Sequence, residues 1–103
     1  MSYKQSLARS VRELRFVMCQ QSQTSMGARQ FVNNNYTDIK ASNPTLPFIV
    51  RECFGAQPNV MARFDFGQER RIYLNGLSEQ EVEMAVEELV GQAEEVNAAM
   101  PGH

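Results

Sequence analysis

The sequence has little of what most catalytic and metal sites require. It contains two cysteines, no tryptophan and a single histidine, His103, at its last position. One histidine leaves almost nothing for imidazole catalysis or histidine coordination, and two cysteines are too few for a disulfide scaffold or a four-cysteine zinc site. The sequence also lacks a glycine-rich phosphate loop and a nucleophile–base–acid set. These absences predict a protein that is not an enzyme and binds neither a cofactor nor a metal.

Long apolar runs are missing as well. No run approaches the roughly 20 residues that a membrane helix needs. No apolar signal-peptide core follows the first methionine, so secretion is not expected. With 103 residues, of which 43% are hydrophobic and 21% charged, the chain is typical of one small globular domain.

Positive charge is absent from the last third of the chain. All ten Lys and Arg lie in residues 1–71, which carry a net charge of +5, whereas residues 72–103 hold seven Glu and carry −7. Four arginines form a candidate basic interface toward protein neighbours: Arg9, Arg12, Arg15 and Arg29. Nucleic acid is the less favoured partner, because the chain has a net charge of −2 and few aromatics accompany these arginines.

The first half of the chain has a strand–helix–strand pattern. Apolar, β-prone residues predict strands at Leu14–Cys19 and Pro47–Cys53. Between them, apolar residues from Ala28 to Ile39 recur with helical spacing, and Pro44 ends the helix. This order implies a right-handed crossover between two parallel strands.

The second half predicts a hairpin and a helix. Alternation over Val60–Phe66, a turn at Gly67 and a strand at Arg70–Leu74 predict an antiparallel hairpin. A capping box of Ser78 and Glu81 opens a helix over residues 77–96. The fold class is therefore α/β, a four-stranded mixed sheet with packed helices, which is the small thioredoxin-like architecture. We divide the chain into an N-terminal arm (1–13), the domain (14–97) and a C-terminal tail (98–103).

The two cysteines form the candidate redox site. Cys19 and Cys53 each end one of the parallel strands, and the strand spacing of about 4.8 Å falls within the range that a disulfide spans. The sequence leaves open whether they form a bridge or remain two reduced, half-buried thiols. Cys19 alone is a weak nucleophile, because Ser22 stands where a resolving cysteine would be and the helix begins about five residues later.

Four segments resemble a known family: "LRFVMCQQS", "NYTDIKASNPTLPFIVREC", "QPNVMARFDFGQE" and "LNGLSEQEV". They are similar to the small thioredoxin-like accessory subunit of mitochondrial respiratory complex I (NADH:ubiquinone oxidoreductase), whose domain family includes certain mitochondrial ribosomal proteins. The likeness runs from about Leu14 to Val90. It implies a non-catalytic subunit that supports assembly and stability of the matrix arm in NADH-to-ubiquinone electron transport.

The resemblance also implies a location and partners. The chain would lie at the matrix side of the mitochondrial inner membrane as a peripheral subunit, bound to other complex I subunits and to no cofactor, nucleic acid or small-molecule substrate. The family carries cysteines matching Cys19 and Cys53, which can form a disulfide. It further implies a cis-proline at Pro58.

Two other functions remain open. One is a monothiol or disulfide redox protein or sensor that uses Cys19 and Cys53. The other, less favoured, is a mitochondrial ribosomal protein, because such proteins need more positive charge for their RNA contacts.

Overall fold

The computed structural model describes residues 3–98. Its helices and strands follow in this order: a 3-10 turn at Tyr3–Ser6, α1 (Leu7–Ser10), β1 (Glu13–Met18), a 3-10 turn at Gln23–Ser25, α2 (Met26–Ser42), β2 (Phe48–Glu52), β3 (Asn59–Arg63), a 3-10 turn at Asp65–Gly67, β4 (Glu69–Tyr73), α3 (Glu79–Gly91) and α4 (Ala93–Ala98).

The four strands form one mixed sheet in the order β2-β1-β3-β4. β1 and β2 are parallel, with Leu14 beside Phe48, and the pairs β1–β3 and β3–β4 are antiparallel. The predicted α/β class, the parallel strand–helix–strand unit and the hairpin are therefore confirmed. β2 and β4 are the two edge strands.

The sheet has helices on one face. All four helices contribute side chains to a single apolar core, for example Leu7 of α1, Phe31 of α2 and Val96 of α4. The sheet side chains in that core are alternate ones, such as Phe16 and Val60. The other face, which we call the open face, consists of Glu13, Arg15 and Val17 of β1 and their in-register neighbours on the other strands.

Four aromatic rings hold α2 on the sheet. The Phe16 ring lies 5.8 Å from that of Phe31 and 5.6 Å from that of Phe48, and Tyr36 meets Phe48 edge-on at 5.1 Å. Phe16 and Phe31 are completely buried. Such offset and edge-on pairs add to the stabilisation from burial alone.

The start of α2 packs closely against the chain that leads into α3. A Cβ atom at Gly27 would overlap the carbonyl oxygen of Leu77, so this position accepts only glycine without a shift. The predicted capping box opens α3: Ser78 Oγ accepts from Glu81 N at 3.2 Å, and Ser78 N donates to Glu81 Oε1 at 2.9 Å.

The N-terminal residues are fastened to the end of α2 by Asn43. Its Nδ2 donates to the carbonyls of Lys4 (2.7 Å) and Ile39 (2.9 Å), and its Oδ1 accepts from Ala8 N at 2.9 Å. Leu7 is completely buried. Within the described residues, the predicted arm is thus packed onto the core of the domain.

Two predicted elements end differently in the structure. β3 ends at Arg63, and Phe66, predicted to lie on the strand, is 66% exposed with φ of 63° in the turn before Gly67. The predicted last helix is divided at Gln92, whose N–H bonds back to Leu89 and Val90. Of the predicted C-terminal tail, residues 99–103 lie outside the described residues.

The predicted cis-proline is wrong. The described residues contain no cis peptide bond, so the bond before Pro58 is trans. The short loop between β2 and β3 accommodates the isomer that X–Pro bonds normally adopt. The Pro58 carbonyl accepts from Leu74 N at 2.8 Å, which continues the β3–β4 pairing.

Candidate functional site

The candidate site lies where the parallel strands β1 and β2 end. Met18 pairs with Glu52, and Cys53 N donates to the Met18 carbonyl at 2.9 Å. The next residues of the two strands, Cys19 and Cys53, line one pocket of about 200 Å³. The sequence-based placement of both cysteines at one edge of the sheet agrees with this geometry. Both are free thiols in the structure.

The two cysteines have different environments. Cys19 is 4% exposed, whereas Cys53 is exposed and is followed by Phe54, which is 90% exposed. Gln20 bridges the two strand ends by donating from Nε2 to Glu52 Oε1 at 2.7 Å. The pocket therefore combines one enclosed sulfur with one that solvent can reach.

The backbone of Cys19 is held on both sides. Its N–H donates to the buried Ser25 Oγ at 3.1 Å, and its carbonyl accepts from Arg29 Nη1 at 2.6 Å. The same Arg29 nitrogen donates to the Ser22 carbonyl at 2.8 Å. The loop from Cys19 to Ser22 is consequently held by Ser25 of the 3-10 turn and by Arg29 of α2.

This loop favours the thiolate of Cys19. Hydrogen bonds from the backbone N–H groups of Gln21 and Gly55 lower the pKa of the Cys19 thiol, with smaller contributions from Ser22 N–H and the Arg29 charge, and together they outweigh desolvation. The sequence indicated a weak nucleophile because Ser22 replaces a resolving cysteine and the helix begins about five residues beyond Cys19. Sequence spacing could not show that Gly55, from the loop after β2, folds back over Cys19.

Chemically, the pair can support thiol exchange, and the carboxylate of Glu52, which also lines the pocket, is hydrogen-bonded to Gln20. A thiolate beside an accessible thiol can attack an incoming disulfide to give a mixed disulfide and one released thiol, and the second thiol can then displace the other half as a thiol. Among the side chains that the structure describes, no group of three or more His, Cys, Asp or Glu is arranged to hold a metal ion.

The four arginines of the predicted basic interface are not brought together. Arg9 is exposed on α1, and Arg12 Nε lies 2.7 Å from Asp65 Oδ1. Arg15 lies on the open face, 2.9 Å from Glu13 Oε2, while Arg29 is occupied by backbone carbonyls. Clustering along the chain could not predict this, because it does not show on which face a strand residue lies.

A second concave region lies between α2 and the edge strand β2. It encloses about 510 Å³ and includes Tyr36, Phe48 and Val50 with Arg29 and Glu52. Its lining also includes the polar side chains of Asn33 and Thr37. No helix among residues 3–98 combines the length and apolarity that crossing a bilayer demands.

Comparison with known proteins gives consistent results. Residues 28–79 match the model of the "Mitochondrial ribosomal protein L51 / S25 / CI-B8 domain". The chain is 46% identical to "NADH dehydrogenase [ubiquinone] 1 alpha subcomplex subunit 2" of Arabidopsis thaliana over 87% of this chain and 93% of the relative. It is 41% identical to the protein of the same name in Mus musculus, over 78% of this chain and 81% of the relative. It is 39% identical to the "NADH-ubiquinone oxidoreductase 10.5 kDa subunit" of Neurospora crassa, over 87% of this chain and 96% of the relative.

Proposed function

Since the chain belongs to the mitochondrial ribosomal protein L51 / S25 / CI-B8 domain family, we propose that it is a non-catalytic accessory subunit of mitochondrial complex I. The observation that carries this proposal is the likeness to three relatives named as NADH dehydrogenase or NADH-ubiquinone oxidoreductase subunits, each matched over 81% or more of its length. The finer parts of the proposal are a peripheral position at the matrix side and a role in stabilising the matrix arm, with electron transfer performed by other subunits.

The structure supports a binding role through its distribution of charge and chemistry. The basic half of the chain presents several arginines at the surface, including Arg9 and Arg51. Such groups suit contact with protein neighbours better than turnover of a substrate.

Native electrophoresis of mitochondria tests the proposal. We expect the tagged chain to migrate with assembled complex I, and we expect depletion of the chain to reduce the assembled complex. Migration of the chain only as a free small protein would contradict the proposal. Sedimentation with a mitochondrial ribosomal subunit would instead support the ribosomal alternative.

A redox role is the second candidate, and it is favoured by the shared pocket of Cys19 and Cys53. The matched test is the double variant C19S/C53S introduced into cells that lack the natural chain. Full recovery of assembled complex I would show that the thiols are dispensable for the subunit role. Recovery that fails only under oxidising conditions would support a disulfide sensor.

A further inference from the structure

The edge strand β2 presents backbone groups that have no partner. Cys53 N donates to the Met18 carbonyl, so Cys53 directs its backbone groups toward β1. Successive residues of a strand alternate in this direction, so Phe48, Val50 and Glu52 direct their N–H and C=O groups away from β1, at the free edge of the sheet. No group of the described residues makes a hydrogen bond with them. This edge is therefore a row of unused donors and acceptors.

The groove between α2 and β2 lies at the same edge. It encloses about 510 Å³. Val50 belongs to the helix-covered face, because it is in register with Phe16 of the core, and it forms one wall of the groove, while Tyr36 and Thr37 of α2 form the other. A strand added outside β2 would direct every second side chain into this groove. The edge thus offers both backbone partners and space for side chains.

The other edge of the sheet is protected by charge. β4 opens with the charged run Glu69–Arg71, whereas β2 opens with the apolar run Phe48–Val50. The concave region beside β4 is also lined by three carboxylates, those of Glu81, Glu87 and Glu88. Charged side chains on an edge strand prevent pairing with another chain. The apolar half of β2 lacks this protection.

A second copy of this chain matches β2 poorly. Full-length antiparallel pairing of β2 with itself is centred on Val50. It places Phe48 opposite Glu52 and Ile49 opposite Arg51. Each of these pairs sets an apolar side chain against a charged one, whereas cross-strand pairs stabilise a sheet when both members are apolar or carry opposite charges. A strand of different sequence can match both halves of β2.

From these observations we propose that β2 accepts an extended segment of a neighbouring subunit as a fifth strand. Its backbone bonds to the outward groups of Phe48, Val50 and Glu52, and its alternate apolar side chains fill the groove between α2 and β2. In this mode of recognition the backbone bonds supply affinity and the side-chain pockets supply specificity. The proposal rests on the proposed function, which supplies the neighbouring subunits.

Two proline variants separate this edge from the other one. Leu74 N donates to the Pro58 carbonyl, so the alternate residue Arg71 directs its N–H away from β3, as Val50 does from β1. An edge strand accepts proline where the N–H points outward, because no bond of the sheet is lost. V50P and R71P therefore each delete one outward donor and leave the pairing of the four strands intact. Both purified variants should keep a cooperative thermal unfolding transition.

The measurement is incorporation of each variant into complex I in cells that lack the natural chain, read on native gels. We expect V50P to lower incorporation roughly tenfold or more, since it leaves an acceptor of the added strand without a partner. R71P should stay within about twofold of the natural chain, because its edge is not used. Equal incorporation of both variants, or equal loss in both, would overturn the strand-addition proposal. Failure of the natural chain itself to incorporate would instead overturn the proposed function.

A second pair of variants tests the groove without changing β2. Thr37 is exposed and lines the groove, whereas Asn34 is exposed on α2 outside its lining. T37W fills the space that the added side chains need, and N34W adds the same bulk elsewhere. We expect T37W to lower incorporation severalfold and N34W to leave it unchanged. Normal incorporation of T37W would refute the proposal even if V50P does not fold.

Photo-crosslinking in the assembled complex identifies the occupant. Arg51 and Arg71 are exposed arginines on the two edge strands, so position 51 carries the crosslinking side chain and position 71 serves as the control. The proposal expects, from position 51, a peptide of another subunit with apolar residues at alternate positions. A crosslink to RNA or to a second copy of this chain would refute it, as would a crosslink to other subunits from position 71 alone.

Discussion

On one face of the sheet Leu14, Phe16 and Val60 are completely enclosed, whereas on the other Arg15 and Arg63 remain half-exposed. The residues alternate along the same strands, so neighbours in sequence have opposite environments. Aromatic packing stabilises the enclosed side of the sheet, and ion pairs that solvent can reach connect the charged side chains of the open side. The comparison teaches that apolar packing stabilises the sheet from one side, whereas the other side depends on charged and polar side chains.

The largest expected effect comes from the enclosed face. Replacing Phe16 by alanine removes two ring contacts in a site without solvent and should lower the free energy of unfolding by roughly 3–5 kcal/mol. The adjacent variant V17A, on the open face, should lower it by about 1 kcal/mol or less. Chemical denaturation of both proteins measures the difference. Equal losses would show that the two faces do not differ as the structure indicates.

The second effect tests how closely the helical layer is packed. The variant G27A places a Cβ atom against the Leu77 carbonyl and should lower the free energy of unfolding by about 1–3 kcal/mol. The control is G91A at the end of α3, where a Cβ atom would meet nothing within 4 Å. That variant should be neutral or stabilising by up to about 1 kcal/mol, because alanine restricts the unfolded chain. A stable G27A protein would contradict the close approach of α2 to the segment before α3.

A smaller effect is expected from the ion pairs of the open face. Replacing Arg63 by alanine removes the pairs with Glu13 and Glu69 and should lower the free energy of unfolding by about 1 kcal/mol. Because these groups are partly exposed, the difference from the natural chain should shrink as salt is added. A difference that does not respond to salt would mean that Arg63 stabilises the sheet by packing instead.

The smallest effect concerns Cys19. Its pKa is lowered from the ordinary value of 9.0, so the thiolate is favoured in the folded state relative to the unfolded state. The stabilisation should therefore be absent at low pH, grow as the pH rises above the folded pKa, and be complete above the ordinary value. In a C53S background, the free energy of unfolding relative to C19S/C53S should rise with pH in this window. A difference that falls as the pH rises would contradict the proposed role of the Gln21 and Gly55 amides.

Titration of the thiolate absorbance in the C53S protein supplies a direct check. The midpoint should lie below that of an ordinary thiol, and unfolding the protein in denaturant should return it to the ordinary value. The denatured sample is thus the control for the folded one.

The parts of the fold that sequence could predict are those with local signals. The capping box at Ser78 and Glu81, the stripe that buries Phe31 and Ile39, and the paired strand ends at Cys19 were all predictable from spacing and residue type. Each depends on neighbours in sequence or on the handedness of one crossover.

The parts that sequence could not predict depend on distant contacts. Alternation alone extends β3 to Phe66, but Gly67 allows a turn that takes Phe66 out of the sheet. The lowered pKa at Cys19 requires Gly55 to approach from another loop, and no spacing indicates that. The same holds for Arg29. A count of charges groups it with Arg9, but in the structure it donates hydrogen bonds to the carbonyls of Cys19 and Ser22.

Asn43 has a consequence for the order of events in folding. Its amide bonds the backbone of Ala8 and Lys4, which precede it by 35 and 39 positions. During synthesis those early residues leave the ribosome long before their partner exists. Leu7, which is completely buried in the folded chain, therefore cannot be fully buried before the C-terminal end of α2 has formed. The hydrogen bonds that fasten the beginning of the chain are therefore completed only after the whole of α2 has been synthesised.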